Sequence, residues 1–447
     1  MTISGRRSFL GGAASVALSG CGGGGGSSGG APAATLSNPQ PTPGGPTAAA
    51  TLAVTGASAG AVGAGFAGLS YEKALVSEPL FQSTNANLVG LFKALGPSLL
   101  RIGGATVDQT VWNPTGPGLT SVANGWVVSP PDVDRLAAFA AATGWKVLYG
   151  VNLATSTPGV AAAEAAYAAK ALGANLYGIE IGNEPDNYAP FSSYAPPAGF
   201  TSWTLQAFES QWSLFRTAIL NTTPGLAVTG PACGNSVTTW TGPFAASYGK
   251  DISLLTQHYY RSSGTATTDT PTTLVTADPV LQGELVNLQG YAQQAAIPYR
   301  MAEMNSYYAG GAGGGNDLAA ALWLIDSLFA IALHGGLGAN FHGGGDQSGI
   351  SPIADNDGAV AAIQADYYGM LFFTQAGQGT LLQTSLSAGG LNATGYALKT
   401  AAGMSLMVLN KDPTQALSLA LSLPGPASAA TLILIWAWSR LRFCGRG

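Results

Sequence analysis

Two glutamates in this 447-residue chain stand where their carboxyl groups could do chemistry together. Glu184 closes the run Gly178-Ile179-Glu180-Ile181-Gly182-Asn183-Glu184-Pro185. Glu303 lies in Tyr299-Arg300-Met301-Ala302-Glu303-Met304-Asn305-Ser306-Tyr307-Tyr308. Each follows a short apolar stretch of strand character. Side chains alternate along a strand, so Glu180 and Glu184 share a face, with Glu184 nearer the C-terminal end. A pair of carboxyl groups facing one bound sugar suits acid-assisted glycoside cleavage. One protonates the leaving oxygen while the other attacks the anomeric carbon.

Residues 184 and 303 are far apart in the chain, so the fold must bring them together. From Ala61 onward, short apolar runs alternate with Ala-rich helical stretches. The pattern predicts strands near 64–70, 98–103, 145–151, 175–182, 226–231, 252–260, 299–303 and 338–342. It predicts helices near 84–95, 131–143, 159–172, 203–221, 238–249, 279–296, 316–335 and 357–375, several of them opened by proline, as at Pro130-Pro131 and Pro279. Eight β-then-α units over residues 61–376 suit a (β/α)8 TIM barrel, with a doubly wound open sheet as the other α/β arrangement. In a barrel, strands four and seven lie across the axis from each other. Glu184 and Glu303 then meet at the C-terminal mouth, where such folds keep their chemistry. The stretch 318–333 is apolar nearly all round and suits a buried barrel helix. Past Gly377 the texture becomes short turn-bounded strands at Leu381–Leu386, Met404–Leu409 and Leu417–Leu423. Residues 377–447 are therefore read as an appended C-terminal β-sandwich, to which 51–60 adds a strand through Thr51–Thr55.

Composition removes several other classes. Lys and Arg total 17 against 22 Asp and Glu, for a net charge of −5, and the basic residues are scattered. That excludes a nucleic-acid partner, which needs clustered cations. At 47% apolar residues the chain can bury a large core. Three cysteines cannot staple a disulfide scaffold, and three histidines leave little for a His-rich metal site. Two glycine motifs are coincidences of a chain with 63 glycines. Gly63-Ala64-Gly65-Phe66-Ala67-Gly68 fits the dinucleotide fingerprint but runs into Ser70-Tyr71-Glu72 where a helix should open. Gly56-Ala57-Ser58-Ala59-Gly60 fits a nucleophile elbow but precedes the alternating body.

The first 21 residues read as an address. Arg6-Arg7, then Ser8-Phe9-Leu10, then small apolar residues to Leu18, form a twin-arginine export pattern. Leu18-Ser19-Gly20-Cys21 resembles a lipobox whose cysteine carries the lipid. Residues 22–50, rich in Gly, Pro and Ala, read as a tether. The expected location is the bacterial cell envelope, with the membrane touched only through the Cys21 anchor, or else secretion.

Six motifs in order resemble glycoside hydrolase family 79, the β-glucuronidase and heparanase family among the clan A retaining glycosidases. They are Gly65–Glu72, Leu100-Arg101-Ile102-Gly103-Gly104, Asn183-Glu184-Pro185, Gln257-His258-Tyr259-Tyr260, Glu303–Gly311 and Val408–Asp412. The resemblance spans about residue 60 to 425. It implies an exo-acting β-glucuronidase working by double displacement without cofactor or metal, on a glucuronic-acid-containing glycan or a small glucuronide. Glu184 would be the acid/base, Glu303 the nucleophile, and Arg101 would sit beneath Glu303. Asn183 would bond the sugar 2-hydroxyl, and Tyr259 would orient Glu303. Glu72, Tyr308 and His342 would contact the glycone. Backbone N–H groups of Gly343, Gly344 and Gly345 would receive the uronate carboxylate. The family places a tyrosine beside that loop; here Gly349-Ile350-Ser351 stands there, leaving Tyr367 or Tyr368 as substitutes. Another clan A exo-β-glycosidase, a xylosidase or glucosidase, is the alternative. A non-catalytic sugar-binding lipoprotein would have no use for both carboxylates.

The tail Ser439–Gly447 holds three arginines, and its composition departs from what precedes it. A shifted reading frame or a truncated gene end is expected, leaving the sandwich incomplete at its C-terminal end and residues 439–447 without ordered packing. With no basic run beyond Arg6-Arg7, a densely sulfated glycan finds no matching surface. Purified protein should leave intact heparan sulfate uncut while acting on small or weakly charged glucuronides. Efficient depolymerisation, followed by size-exclusion chromatography, would contradict this.

Overall fold

Eight parallel strands close into a barrel: β1 (Ala67–Glu72), β2 (Leu99–Gly103), β3 (Lys146–Val151), β4 (Leu176–Ile181), β5 (Val228–Cys233), β6 (Leu255–Ser262), β7 (Tyr299–Tyr307) and β8 (Ala339–Gly343). The computed structural model describes residues 47–122, 125–189, 195–309, 317–344, 349–425, 434–438 and 440–444. The export signal, Cys21, the tether up to residue 46, Gly345 and residues 439 and 445–447 lie outside the described residues. Among the described residues no helix is long and apolar enough to cross a membrane.

Each strand feeds a helix, and local chemistry sets where the helices begin. They are α1 (Ala86–Leu95), α2 (Pro130–Thr143), α3 (Pro158–Leu172), α4 (Leu205–Thr222), α5 (Gly242–Tyr248), α6 (Pro279–Ala295), α7 (Leu318–Leu333) and α8 (Ala365–Gln375). Proline occupies the first turn of α2, α3 and α6, where its missing N–H loses no helical bond. Side chains of Asn85, Thr157, Thr204, Asp278 and Asp317 cap their helices by accepting backbone N–H groups. The predicted barrel elements match within a few residues, with one exception. The stretch 357–363, read as the start of the last helix, is instead half of a hairpin pairing Ile353–Asn356 with Ala359–Ile363. Asp357 (φ 48°) and Gly358 (φ 80°) form its turn, in the left-handed pair of conformations that a tight hairpin favours. The Asp-Gly dipeptide was the available signal. A three-stranded sheet of Thr110–Trp112, Thr120–Val122 and Gly125–Val128 also decorates the connection after β2, and sequence periodicity did not reveal it.

The all-round apolar α7 is buried on every side. Gly369 of α8 lets that helix approach so closely that a Cβ there would lie 3.0 Å from the Ala321 backbone. Elsewhere Phe329 stacks on Tyr396 with ring centroids 4.0 Å apart, and the Tyr396 hydroxyl donates to Asp326 at 2.8 Å. That bond accounts for the lone acid in an otherwise apolar helix.

The chain divides into two compact units, one within residues 1–56, 384–395 and 408–447, the other 57–383 with 396–407. The second unit holds the barrel and an antiparallel pairing of 379–382 with 397–400. In the first, residues 47–53 run parallel to 416–422, extending the strand expected around Thr51–Thr55. Strands at Gly379–Ser387, Gly403–Asn410 and Ala416–Ser422 match the expected C-terminal ones, and Ala393–Thr400 adds one that was not anticipated. At the tail, Leu434–Trp438 pairs antiparallel with Arg440–Cys444 as a separate two-stranded sheet. The backbone of 440–444 is therefore paired, in a hairpin separate from the larger C-terminal sheet.

The hairpin turn gives a stability test. Gly358→Ala must hold a Cβ at positive φ, 2.7 Å from the Pro79 backbone. It should destabilise the fold by about 1–3 kcal/mol, read as a lower midpoint in thermal denaturation.

Candidate active site

Every inward side chain at the barrel mouth takes its height from strand register. Ser70 on β1 is level with both Arg101 on β2 and His342 on β8. His258 on β6 is level with Glu303 on β7. The sequence motifs thus converge on one centre, and Arg101 is its hub. Arg101 is 0% exposed. Its Nε donates to Glu180 Oε2 at 2.6 Å, and its Nη1 to Glu303 Oε2 at 2.6 Å and to Ser70 Oγ at 3.3 Å. Its Nη2 donates to Asn183 Oδ1 at 2.9 Å, which turns the Asn183 amide nitrogen away from the hub. Gly103 follows because any Cβ there would overlap this guanidinium.

Glu303 is buried and held on both oxygens, Oε2 by Arg101 and Oε1 by the Tyr260 hydroxyl at 2.8 Å. Burial alone would raise its pKa. The positive charges of His342, His258 and Arg101, with the Tyr260 bond, outweigh burial and hold it well below the usual carboxylate range. Tyr260 is itself pushed well up, by burial and by the Glu303 charge, and so stays a donor.

Glu184 sits across the mouth on the loop after β4. Its backbone is left-handed (φ 47°, ψ 53°), a conformation that non-glycine residues adopt rarely and usually where the surroundings enforce it. Here its N–H donates to Ala232 O at 2.8 Å, and Asp186 two residues on accepts the N–H groups of Gly234, Asn235 and Ser236. The Glu184 carboxylate lies 2.9 Å from His258 Nδ1 and accepts from Asn187 Nδ2 at 3.0 Å. Gly234 makes room for it, since a Cβ there would lie 2.9 Å from the Glu184 carboxyl carbon. Among the described residues, donor atoms of Glu184, His258 and Glu303 lie within 4.8 Å of one another. Because Arg101 and Tyr260 already occupy both Glu303 oxygens, this group reads as a carboxylate pair rather than an ion cage.

Behind the loops, buried Asp108 ties the mouth together. Its Oδ1 accepts from Leu153 N and Ala154 N, and its Oδ2 from Asn183 N and the Tyr188 hydroxyl. Burial raises its pKa against those bonds. On the other side of the site, Glu72 accepts from Ala105 N, Thr106 N and Thr106 Oγ1. Gly104 (φ 74°) leaves space for that carboxylate. His342 joins the two ends, its Nε2 3.4 Å from Glu72 and its Nδ1 3.6 Å from Glu303.

The structure therefore gathers Glu72, Arg101, Asn183, Glu184, Glu303 and His342, as expected. Tyr308 stands at the rim, 61% exposed and edge-on to Tyr260 at 6.1 Å. Three expectations need correction. Tyr259 faces away from the mouth and donates to Asp278 at 2.7 Å, so Tyr260 is the residue that orients Glu303. The cause is a register shift: Gln257 pairs with Met301 but His258 with Glu303, skipping Ala302. An unbroken register would have set Tyr259 beside Glu303. Gly344 does not present a free N–H group to a carboxylate, because it donates to Ser351 Oγ at 2.9 Å. Gly343 lies in β8 level with Tyr71, where a Cβ would come 2.8 Å from Ser351 and Pro352. The Tyr367 hydroxyl is directed to Leu91 O at 2.9 Å, so it is no substitute for the missing tyrosine. Sequence reading placed Glu180 on the face of Glu184 but gave it no role, and it missed Ser70, Asp108, His258 and Tyr260 as site residues. Ser70, His258 and Tyr260 needed strand register, and Asp108 lies in the short turn Ala105–Gln109 outside any strand.

No protein-family profile matches the chain, and no curated protein matches it by sequence. Solved structures share its fold. A 4-O-α-L-rhamnosyl-β-D-glucuronidase from Fusarium oxysporum 12S superposes with TM-score 0.66 at 20% identity, covering 86% of this chain and 83% of that one. A family 51 α-L-arabinofuranosidase from Bifidobacterium longum gives 0.65 at 16% identity, covering 89% and 92%. A GH39 β-xylosidase from Caulobacter crescentus gives 0.50 at 14% identity, covering 80% of each. At these identities the likeness establishes the (β/α)8 barrel with its C-terminal sheets.

His342 provides a pH test. Burial would lower its pKa, but the Glu303 and Glu72 charges and the Glu72 bond raise it above the ordinary value of 6.5. A raised folded pKa contributes stability that is full below the unfolded value and is lost as pH rises through the folded one. The melting-temperature gap between the wild-type chain and His342→Gln should thus be larger at pH 6 than at pH 9. A gap that is constant or widens with pH would contradict the assignment.

Proposed function

We propose that this chain is a retaining glycoside hydrolase of the clan A kind, with β-glucuronides as its substrates. The observation that carries the reading is the carboxylate pair: Glu184 and Glu303 have oxygens within 4.8 Å across one mouth, in unlike settings. Retaining enzymes hold their two carboxyl groups about 5–5.5 Å apart, and inverting ones leave room for a water between them.

In the first step a Glu303 oxygen bonds the anomeric carbon while the bond to the aglycone oxygen breaks and Glu184 gives that oxygen its proton. In the second, a water oxygen replaces Glu303 at the anomeric carbon, passing its proton to Glu184, and Glu303 leaves with the electron pair. Arg101 and Tyr260 keep Glu303 ionised and aimed. Asn183, its Oδ1 fixed on Arg101, offers its amide N–H to the 2-hydroxyl, a contact that strengthens in the transition state. Glu72 and His342 hold the far side of the glycone, and Tyr308 lines the rim. Glucuronate as the glycone is supported by the motif resemblance and by the likeness to the Fusarium glucuronidase. Export and a lipid anchor at Cys21 complete the proposal.

A panel of aryl β-glucuronide, β-xyloside, β-glucoside and α-L-arabinofuranoside tests the glycone, and NMR of the first-formed sugar tests the stereochemistry. The glucuronide should turn over fastest with retention; an inverted first product would defeat the mechanism. Glu184→Gln should lose about 100- to 10,000-fold on substrates with poor leaving groups, and much less on dinitrophenyl glycosides, which need little protonation.

A further inference from the structure

Glu180 is a buried carboxylate that the double displacement does not use. It is 1% exposed, and its Oε2 accepts from Arg101 Nε at the same 2.6 Å that separates Arg101 Nη1 from Glu303. Its other oxygen, Oε1, is buried and accepts no hydrogen bond from the described residues. The carboxylate's one hydrogen bond among the described residues is to the Arg101 guanidinium, a contact that does not by itself call for a buried negative charge. A glutamine there could accept the same Nε–H without a buried charge.

We infer that Glu180 is a positioning residue that divides the charge of Arg101, so that Glu303 stays a reactive nucleophile instead of a fully neutralised ion-pair partner. The inference rests on the double-displacement reading of this site. Its logic is a balance between the two steps. Glu303 must be basic enough to bond the anomeric carbon and must later depart as a carboxylate. One guanidinium serving Glu303 alone would quiet the attack and ease the departure. The other groups facing Glu303 are His258 and Tyr260 from β6, His342 from β8 and Glu184 from the loop after β4. None of these contacts Glu180 through a hydrogen bond, so replacing Glu180 acts on Glu303 through Arg101.

The test is Glu180→Gln in the intact chain, studied by stopped-flow with a dinitrophenyl β-glucuronide, or with the best dinitrophenyl glycoside if the panel selects another glycone. The burst gives the rate of the first step and the steady state that of the second. The first step should slow by about tenfold, about 1.4 kcal/mol in its barrier, while the second holds or quickens. Parallel loss in both steps, or no change in either, would overturn the inference while leaving the double displacement intact. Absence of turnover by the wild-type chain on every glycoside would overturn both. Should Glu180→Gln fail to fold, Glu180→Asp keeps the charge but withdraws it from Arg101. It is read by the same split: opposite movements support the inference and parallel ones overturn it.

Discussion

The buried guanidinium of Arg101 is the constraint around which the barrel mouth is arranged. It meets carboxylates on β4 and β7, a hydroxyl on β1 and an amide on the loop after β4. Such a cluster is costly to desolvate and is tolerated only when its members satisfy one another. Removing one partner of a buried pair typically costs about 3–5 kcal/mol, because the other is left uncompensated. Four strands are thereby fixed at one height by electrostatics as well as by backbone pairing. The spacing of the two glutamates at the mouth is inherited from that agreement.

Around this hub the loops are braced from behind. Asp108 holds the ends of β3 and β4 through backbone N–H groups, and Asp186 does the same for the start of the loop after β5. Glu184 tolerates its left-handed backbone within that frame. The mouth therefore has rigid supports and few adjustable parts among the described residues, as a preorganised polar site needs.

Much of this was legible in the sequence. Alternating apolar runs and proline-opened helices gave the barrel, and the position of Asn183-Glu184-Pro185 and Glu303 at strand ends gave the carboxylate pair. What stayed hidden depends on neighbours far along the chain. Asp108 lies in an irregular connection, where no periodicity marks a side chain as inward. The hairpin at 353–363 was masked by helix-friendly alanines, although Asp357-Gly358 announced a turn. Tyr260 was passed over for Tyr259 because register is a property of two strands, and one strand's sequence does not contain it.

The skipped residue Ala302 makes position on β7 a matter of phase. Before it, β6 and β7 run in one register; after it, they run one residue out of step, and all of the chemistry lies after it. Inward-facing character on a strand repeats every second residue. Deleting Ala302 would let the Gln257–Met301 and His258–Glu303 pairs follow in one unbroken register, whereas pairing Ala302 with His258 would bring Tyr259 level with the glutamate. Insertions and deletions in the loops leave that phase untouched. Related chains can then differ widely in loop length, but comparing them residue by residue along β6 and β7 is meaningful only once the bulge has been located.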